Sequence, residues 1–139
     1  MKCDIIIPVW NEPQLTRECL QSIARNTTGE YRVIIIDNAS GEETSRYLKQ
    51  AAAADRRLLV IRNDKNEGFI KATNRGIRFS DAPFVCLLNN DTVVTKGWLE
   101  TMMQVALNDN RVGLVNPSSN NLGQRPGVGE SIDQFAELS

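Results

Sequence analysis

An open α/β sandwich built on a mostly parallel sheet is the fold class this sequence predicts, and three observations carry it. Short apolar runs of strand length recur along the 139 residues. Segments with helical spacing separate them, which is the pattern of successive β-α-β units. Three of the runs also end in side chains that coordinate or hydrogen-bond, at Ile5–Glu12, Val33–Ser40 and Val85–Thr92. In a parallel α/β sheet, ligands sit just beyond the carboxyl ends of the strands. Polar residues delivered there from three strands imply a polar ligand, with a divalent cation as a natural companion.

The strand-like runs are Asp4–Val9, Arg32–Ile36, Leu58–Ile61, Phe84–Leu88 and Gly113–Val115. The first helix is expected after Asn11, because Pro13 suits a first turn and Leu15, Cys19 and Ile23 recur every four residues. Ser40 or Gly41 opens the second, whose early Glu42 and Glu43 match the positive end of a helix dipole. Phe69, Ala72, Thr73, Gly76 and Ile77 mark a third helix. Leu99, Met102, Met103 and Ala106 mark a fourth, ending near Asn108–Asn110. Crossovers of this length are right-handed. Val85-Cys86-Leu87-Leu88, being apolar throughout, reads as a buried strand. Beyond Asn116 the pattern gives way to Pro, Ser, Asn and Gly, the composition of a loop. Ser131–Leu138 reads as the start of a further helix, and the chain reads as cut there.

Composition narrows the function. An apolar share of 41% places the chain among globular proteins rather than disordered ones. Its formal net charge of -1 disfavours nucleic acid as a partner, since neutralising phosphates takes a basic surplus. No apolar run is long enough to span a bilayer. Met1-Lys2 runs straight into strand-like sequence and leaves no room for a signal peptide, so a cytoplasmic location is expected. Cys3, Cys19 and Cys86 lack metal-binding or redox spacing and read as small core residues of a reduced protein. There is no histidine at all. Triads and His-ligated metals are thereby removed, which leaves carboxylates, amides, Lys, Arg or an oxygen-ligated cation to do any chemistry.

Two familiar phosphate grips are missing. The first strand turns through Pro8-Val9-Trp10-Asn11-Glu12 without GxGxxG, and no GxxxxGK[ST] occurs anywhere. The residues instead resemble a different family, the inverting A-type-fold glycosyltransferases that include cellulose, chitin, hyaluronan and many bacterial surface-polysaccharide synthases. The resemblance rests on Ile5–Asn11, Val33–Ser40, Asn66-Glu67-Gly68-Phe69 with Ala72 and Asn74, and Leu87–Thr92. These segments keep the family's order and spacing from about Asp4 to Val115. The Asn89-Asn90-Asp91 variant looks most like the rhamnosyltransferase-like branch.

That resemblance implies a UDP- or dTDP-sugar donor, a saccharide or lipid-linked saccharide acceptor, and a Mg²⁺ or Mn²⁺ ion. Residues 1–116 are then expected to be the nucleotide-sugar-binding domain, and 117–139 a loop leading into the acceptor side. A peripheral position at the inner face of the membrane is expected for the full-length protein. Pro8, Trp10, Asn11 and Glu12 would line the nucleotide pocket; the alternative makes Asn11 a helix cap and Trp10 a packing residue. A carboxylate at Asp37 suits the imide N–H of uracil or thymine, with Asn38 beside it, although Asp37, Asn38 or Ser40 would equally serve as a cap. Asn66, Gly68, Phe69 and Ala72 would let the nucleotide lie across a helix start. Asn89 and Asn90 would meet the ribose. Asp91 takes the position of the family's metal-binding carboxylate, its alternative being a locally paired turn residue. Asn89 stands where the family usually has an Asp, which lowers the negative charge available to a cation. The general base such a transfer needs lies downstream in the family, and Glu130, Asp133 and Glu137 fall at the wrong distance. Two other classes fit the pattern less well: a sugar nucleotidyltransferase, which lacks its Gly-rich basic loop here, and a receiver-like regulatory module.

Overall fold

In the computed structural model, residues 2–117 are described, and within them strands and helices alternate. Strands β1 (Cys3–Val9), β2 (Tyr31–Asp37), β3 (Leu58–Arg62) and β4 (Phe84–Leu87) are separated by α1 (Pro13–Asn26), α2 (Glu42–Ala54) and α3 (Phe69–Phe79), and α4 (Trp98–Asn108) follows. All pairings are parallel and the strand order is β3-β2-β1-β4. Pro13 occupies the first turn of α1, and Gly41 caps α2 ahead of Glu42 and Glu43. The polar tail from residue 118 onward, with the helix expected at Ser131–Leu138, lies outside the described residues.

Alternation along the central strands divides the core in two, because successive side chains point to opposite faces. Ile5, Ile7, Val9, Val33 and Ile35 face α1, α2 and α4 through Cys19, Ile23, Leu48 and Leu99. Ile6, Ile34 and Ile36 face α3 through Ala72. Burying each of these isoleucines contributes about 1.5–3 kcal/mol of transfer free energy. Helix α3 comes this close because position 76 is glycine: a Cβ there would overlap Ile6 Cγ2. At the opposite end of the strands, Asp4 is fully buried and held by Arg32 at 2.6 and 3.0 Å and by the Ser80 hydroxyl at 2.6 Å. This network ties β1 and β2 to the end of α3.

Two sequence expectations are corrected here. Val85 and Leu87 of β4 are exposed, while Phe84 and Cys86 pack inward, so β4 is an edge strand with one open face rather than a buried one. Gly113–Val115 forms no strand; Leu114 is 87% exposed, so the run lacks the packing that would repay extended pairing.

Candidate functional site

Parallel strands bring their carboxyl ends to one rim, and an asparagine follows each of them: Asn11, Asn38, Asn63 and Asn89. The rim is opened by Pro8. Even-numbered positions of β1 bond towards β4 (Leu88 N–H to the Ile6 carbonyl, 3.0 Å), and odd ones towards β2 (Asn38 N–H to the Val9 carbonyl, 2.8 Å). Pro8 therefore turns its missing donor towards β4, and the β1–β4 ladder stops at Ile6–Leu87. By register Val9 is level with Asp37 on one side, and on the other β4 pairs up to Ile6–Leu87 before the chain turns through Asn89–Thr92. Positions 37 and 91 thus share one edge of the sheet, on either side of β1. At about 4.8 Å per strand their strands are roughly 10 Å apart.

The first two tips are cross-tied. The Asn11 N–H donates to Ser40 Oγ at 2.9 Å, and Asn11 Oδ1 accepts the Gly41 N–H at 2.8 Å. Asn11, Glu12 and Ala39 all hold positive φ, at 57°, 55° and 61°. Left-handed backbone in such residues costs on the order of 1–3 kcal/mol each and gathers where function over-determines the geometry. Asn11 is not a side-chain cap of α1, and Trp10 is 57% exposed rather than packed.

The expected site residues divide into a frame tied up in hydrogen bonds or packing and a presented set. Asp37 belongs to the frame. It is 1% exposed, its Oδ1 accepts the Ser40 N–H at 2.9 Å, and its Oδ2 is paired with Arg62. Asn38 is buried as well: its Oδ1 takes Asn63 Nδ2 and the Glu67 N–H, both at 2.9 Å, and its Nδ2 donates to Asn66 Oδ1 at 2.6 Å. Asn66 in turn accepts the Gly68 N–H at 2.8 Å. Asn90 donates to Thr16 Oγ1 at 3.0 Å, anchoring the β4 tip on α1. Ala72 is fully buried against Ile6, Ile34 and Ile36, so its side chain works in the core and not across a ligand. Pro8 is likewise buried.

Trp10, Glu12, Gly68, Phe69, Asn89 and Asp91 are exposed on the rim. Gly68 has φ +80° with open space where a Cβ would be, so backbone is presented there. The Asn89 carbonyl closes a turn with the Thr92 N–H at 3.2 Å, which leaves Asp91 at its outer corner. Among the described residues Asp91 enters no ion pair and no hydrogen bond through its carboxylate. No group of three or more His, Cys, Asp and Glu gathers among the described residues. The described residues thus offer no cluster of such side chains to hold a cation by themselves. One shared between a single carboxylate, phosphate oxygens and water fits Asp91, which is how Mg²⁺ is commonly bound.

Two residues of the frame were not anticipated. Arg62 ends β3, pairs with Asp37 and donates to the Ser40 carbonyl at 2.9 Å. Asn63 links Asn38 to Arg75. The asparagine after every strand was the available signal for Asn63; nothing local marked Arg62, because its partner lies on another strand. The cysteines stay out of the chemistry: burial pushes the thiols of Cys19 and Cys86 up to about 12 and that of Cys3 to about 11.

The sequence signature of glycosyl transferase family 2 matches residues 4–129. The chain is 31% identical over 98 residues to the glycosyltransferase AglE of Haloferax volcanii, covering 69% of this chain and 32% of that relative. Among solved structures it is similar to S. aureus TarS 1-349 in complex with UDP-GlcNAc, with a TM-score of 0.71 and 21% identity, covering 86% of this chain and 38% of the other. It is also similar to the mannosyltransferase PcManGT from Pyrobaculum calidifontis in complex with GDP-Man and Mn²⁺, with a TM-score of 0.69 and 20% identity, covering 75% and 32%. These likenesses show the A-type glycosyltransferase fold. The chain spans about a third of the length of the relative and the two structures compared.

Proposed function

This chain belongs to glycosyl transferase family 2, and from that premise we propose that its α/β unit binds the nucleotide-sugar donor of an inverting glycosyltransferase. The observation that carries the reading is Asp91: an exposed carboxylate with no protein partner among the described residues, at the tip of β4, on the rim shared with Trp10 and the Asn66–Phe69 loop. A nucleoside diphosphate gains negative charge as its bond to the sugar breaks. A Mg²⁺ or Mn²⁺ ion supplies the stabilisation of that charge without proton transfer. Asp91 is the residue that would hold it. Asn89 offers an amide to the ribose, Trp10 an aromatic wall, and Gly68 a backbone free to come close.

The donor is a UDP- or dTDP-sugar, selected by the Asp37–Arg62 pair. The carboxylate suits the imide N–H of uracil or thymine. Its approach needs Arg62 to turn outward, where the guanidinium meets a base carbonyl. The acceptor is a saccharide or lipid-linked saccharide used in cell-surface polysaccharide assembly, and the branch is the rhamnosyltransferase-like one. The general base belongs to the acceptor side rather than to this rim. No helix among the described residues is long and apolar enough to cross a membrane. The reading places the enzyme in the cytoplasm, peripheral to the membrane.

Calorimetric titration with UDP, dTDP, GDP and ADP, with and without Mn²⁺, tests this. Pyrimidine diphosphates should bind best, and more tightly with the metal. Asp91→Ala should abolish the metal increment with no change in thermal midpoint, because its side chain supports nothing else. An increment that survives in that variant removes Asp91 from the site. Purine and pyrimidine diphosphates binding equally would remove the Asp37–Arg62 pair from base selection.

A further inference from the structure

A basic cleft lies on the flank of α3, on a different element from Asp91. Lys71, Arg75 and Arg78 recur at spacings of four and three, which stacks them along one side of the helix. Lys65, from the loop before the helix, joins them around one cleft of about 300 Å³, at the small end of ligand-sized pockets. Helix α3 contains no acidic residue. Asp64 and Glu67 also line the cleft, leaving a surplus of two positive charges. Among the described residues none of these six is in an ion pair, so the charges of the cleft are not neutralised by neighbours outside it.

The cleft is also partly built in advance. Arg75 donates to Oδ1 of the buried Asn63 and, at 3.3 Å, to the Arg62 carbonyl. Its guanidinium is fixed over the end of β3 before any ligand arrives. Strand β3, which leads to Asn63, is one edge of the sheet and β4, which leads to Asp91, is the other, so the two strands are three spacings, about 14 Å, apart.

We propose that the Lys65–Lys71–Arg75–Arg78 cleft binds phosphate groups, whose negative charge matches the local surplus and whose oxygens accept from the pre-positioned Arg75 and the cations beside it. The phosphates are either the two of a soluble diphosphate or the single phosphates of headgroups on an anionic lipid surface, and one experiment separates the two. Backbone amide shifts of the chain are followed on titration with inorganic pyrophosphate. In parallel, co-sedimentation is measured with vesicles of phosphatidylcholine alone or mixed with phosphatidylglycerol. Pyrophosphate shifting the amides of residues 71–78, outside the Asn66–Phe69 loop of the donor rim, identifies a soluble ligand. Binding only to the phosphatidylglycerol vesicles identifies the lipid source. In either case Lys71→Ala with Arg78→Ala should weaken binding at least about tenfold, while the charge-keeping pair Lys71→Arg and Arg78→Lys retains it. Both positions are exposed, so the unfolding midpoint should not move. No pyrophosphate response in these amides together with no preference for anionic vesicles overturns the proposal, as does unchanged binding in the Ala pair.

Discussion

Replacing Arg62 with leucine should destabilise the fold by about 2 kcal/mol through a residue some 25 positions from the one it supports. The Asp37 carboxylate is buried at the end of β2, with the Ser40 N–H on one oxygen and Arg62 on the other. Arg62 also holds the Ser40 carbonyl at 2.9 Å. Deleting one member of a wholly buried ion pair costs about 3–5 kcal/mol, because a bare charge remains. An exposed pair is worth only about 0–1 kcal/mol. This pair lies between those limits: the Asp37 side chain is 2% exposed and that of Arg62 45%, so water replaces part of what is lost. For a chain of this size each kcal/mol moves the melting point by roughly 3–4 °C, giving a drop of about 6–8 °C. Urea unfolding of Arg62→Leu, Asp37→Asn and the double variant isolates the pair. The coupling should be about 1–2 kcal/mol, since the double variant removes the stranded charge along with its partner. A coupling below about 0.5 kcal/mol, the scatter expected of independent sites, would refute the argument that Arg62 secures the β2 tip.

Asp4→Asn should cost about 2–4 kcal/mol at neutral pH, because Asp4 is fully buried and paired. Burial pushes the Asp4 carboxyl up, but hydrogen bonds from Arg32 and Ser80 outweigh it, and the net pKa falls below 3.8. A depressed folded-state value stabilises above the unfolded pKa and is lost as pH falls through the folded one. The gap between wild type and Asp4→Asn should accordingly close in acid below pH 3.8; a gap constant to lower pH would contradict the assignment. Gly76→Ala forces α3 off Ile6, an overpacking cost of about 1–3 kcal/mol set against a gain of up to about 1 kcal/mol in helix propensity. Net stabilisation in a melting experiment would show that α3 is free to shift. Trp10 is exposed, whereas Trp98 is half-buried with its indole N–H on Thr27 at 2.8 Å. Nucleotide titration should change tryptophan emission in the wild type and in Trp98→Phe but not in Trp10→Phe; a response surviving in Trp10→Phe would take that ring out of the pocket wall.

The rim was legible before any coordinates, because strand ends are a matter of local pattern. Ile5–Val9 and Val33–Ile36 are too apolar to lie anywhere but inside a sheet, and the residues after them must therefore stand at its edge. What could not be read was which rim residues face outward. Asp37 and Asp91 look alike in sequence: each follows an apolar run and precedes a turn. Asp37 is consumed by Arg62 and Ser40, whereas Asp91 meets no partner among the described residues. Ala72 misled in the same way, since a small residue suits a ligand-facing helix as well as one pressed against Ile6 and Ile36.

Pattern alone determined the parallel α/β class, the helix start at Pro13, the opening of the second helix to Ser40 or Gly41, and the motif set shared with glycosyl transferase family 2. Those depend on periodicity and backbone preference, which neighbouring residues settle among themselves. Tertiary structure decided the division of the site into frame and presented groups, the open face of β4, and the convergence of Lys65, Lys71, Arg75 and Arg78. Each of these depends on which distant side chain supplies a hydrogen bond, a counter-charge or a packing surface, and strand order and register alone bring such partners together.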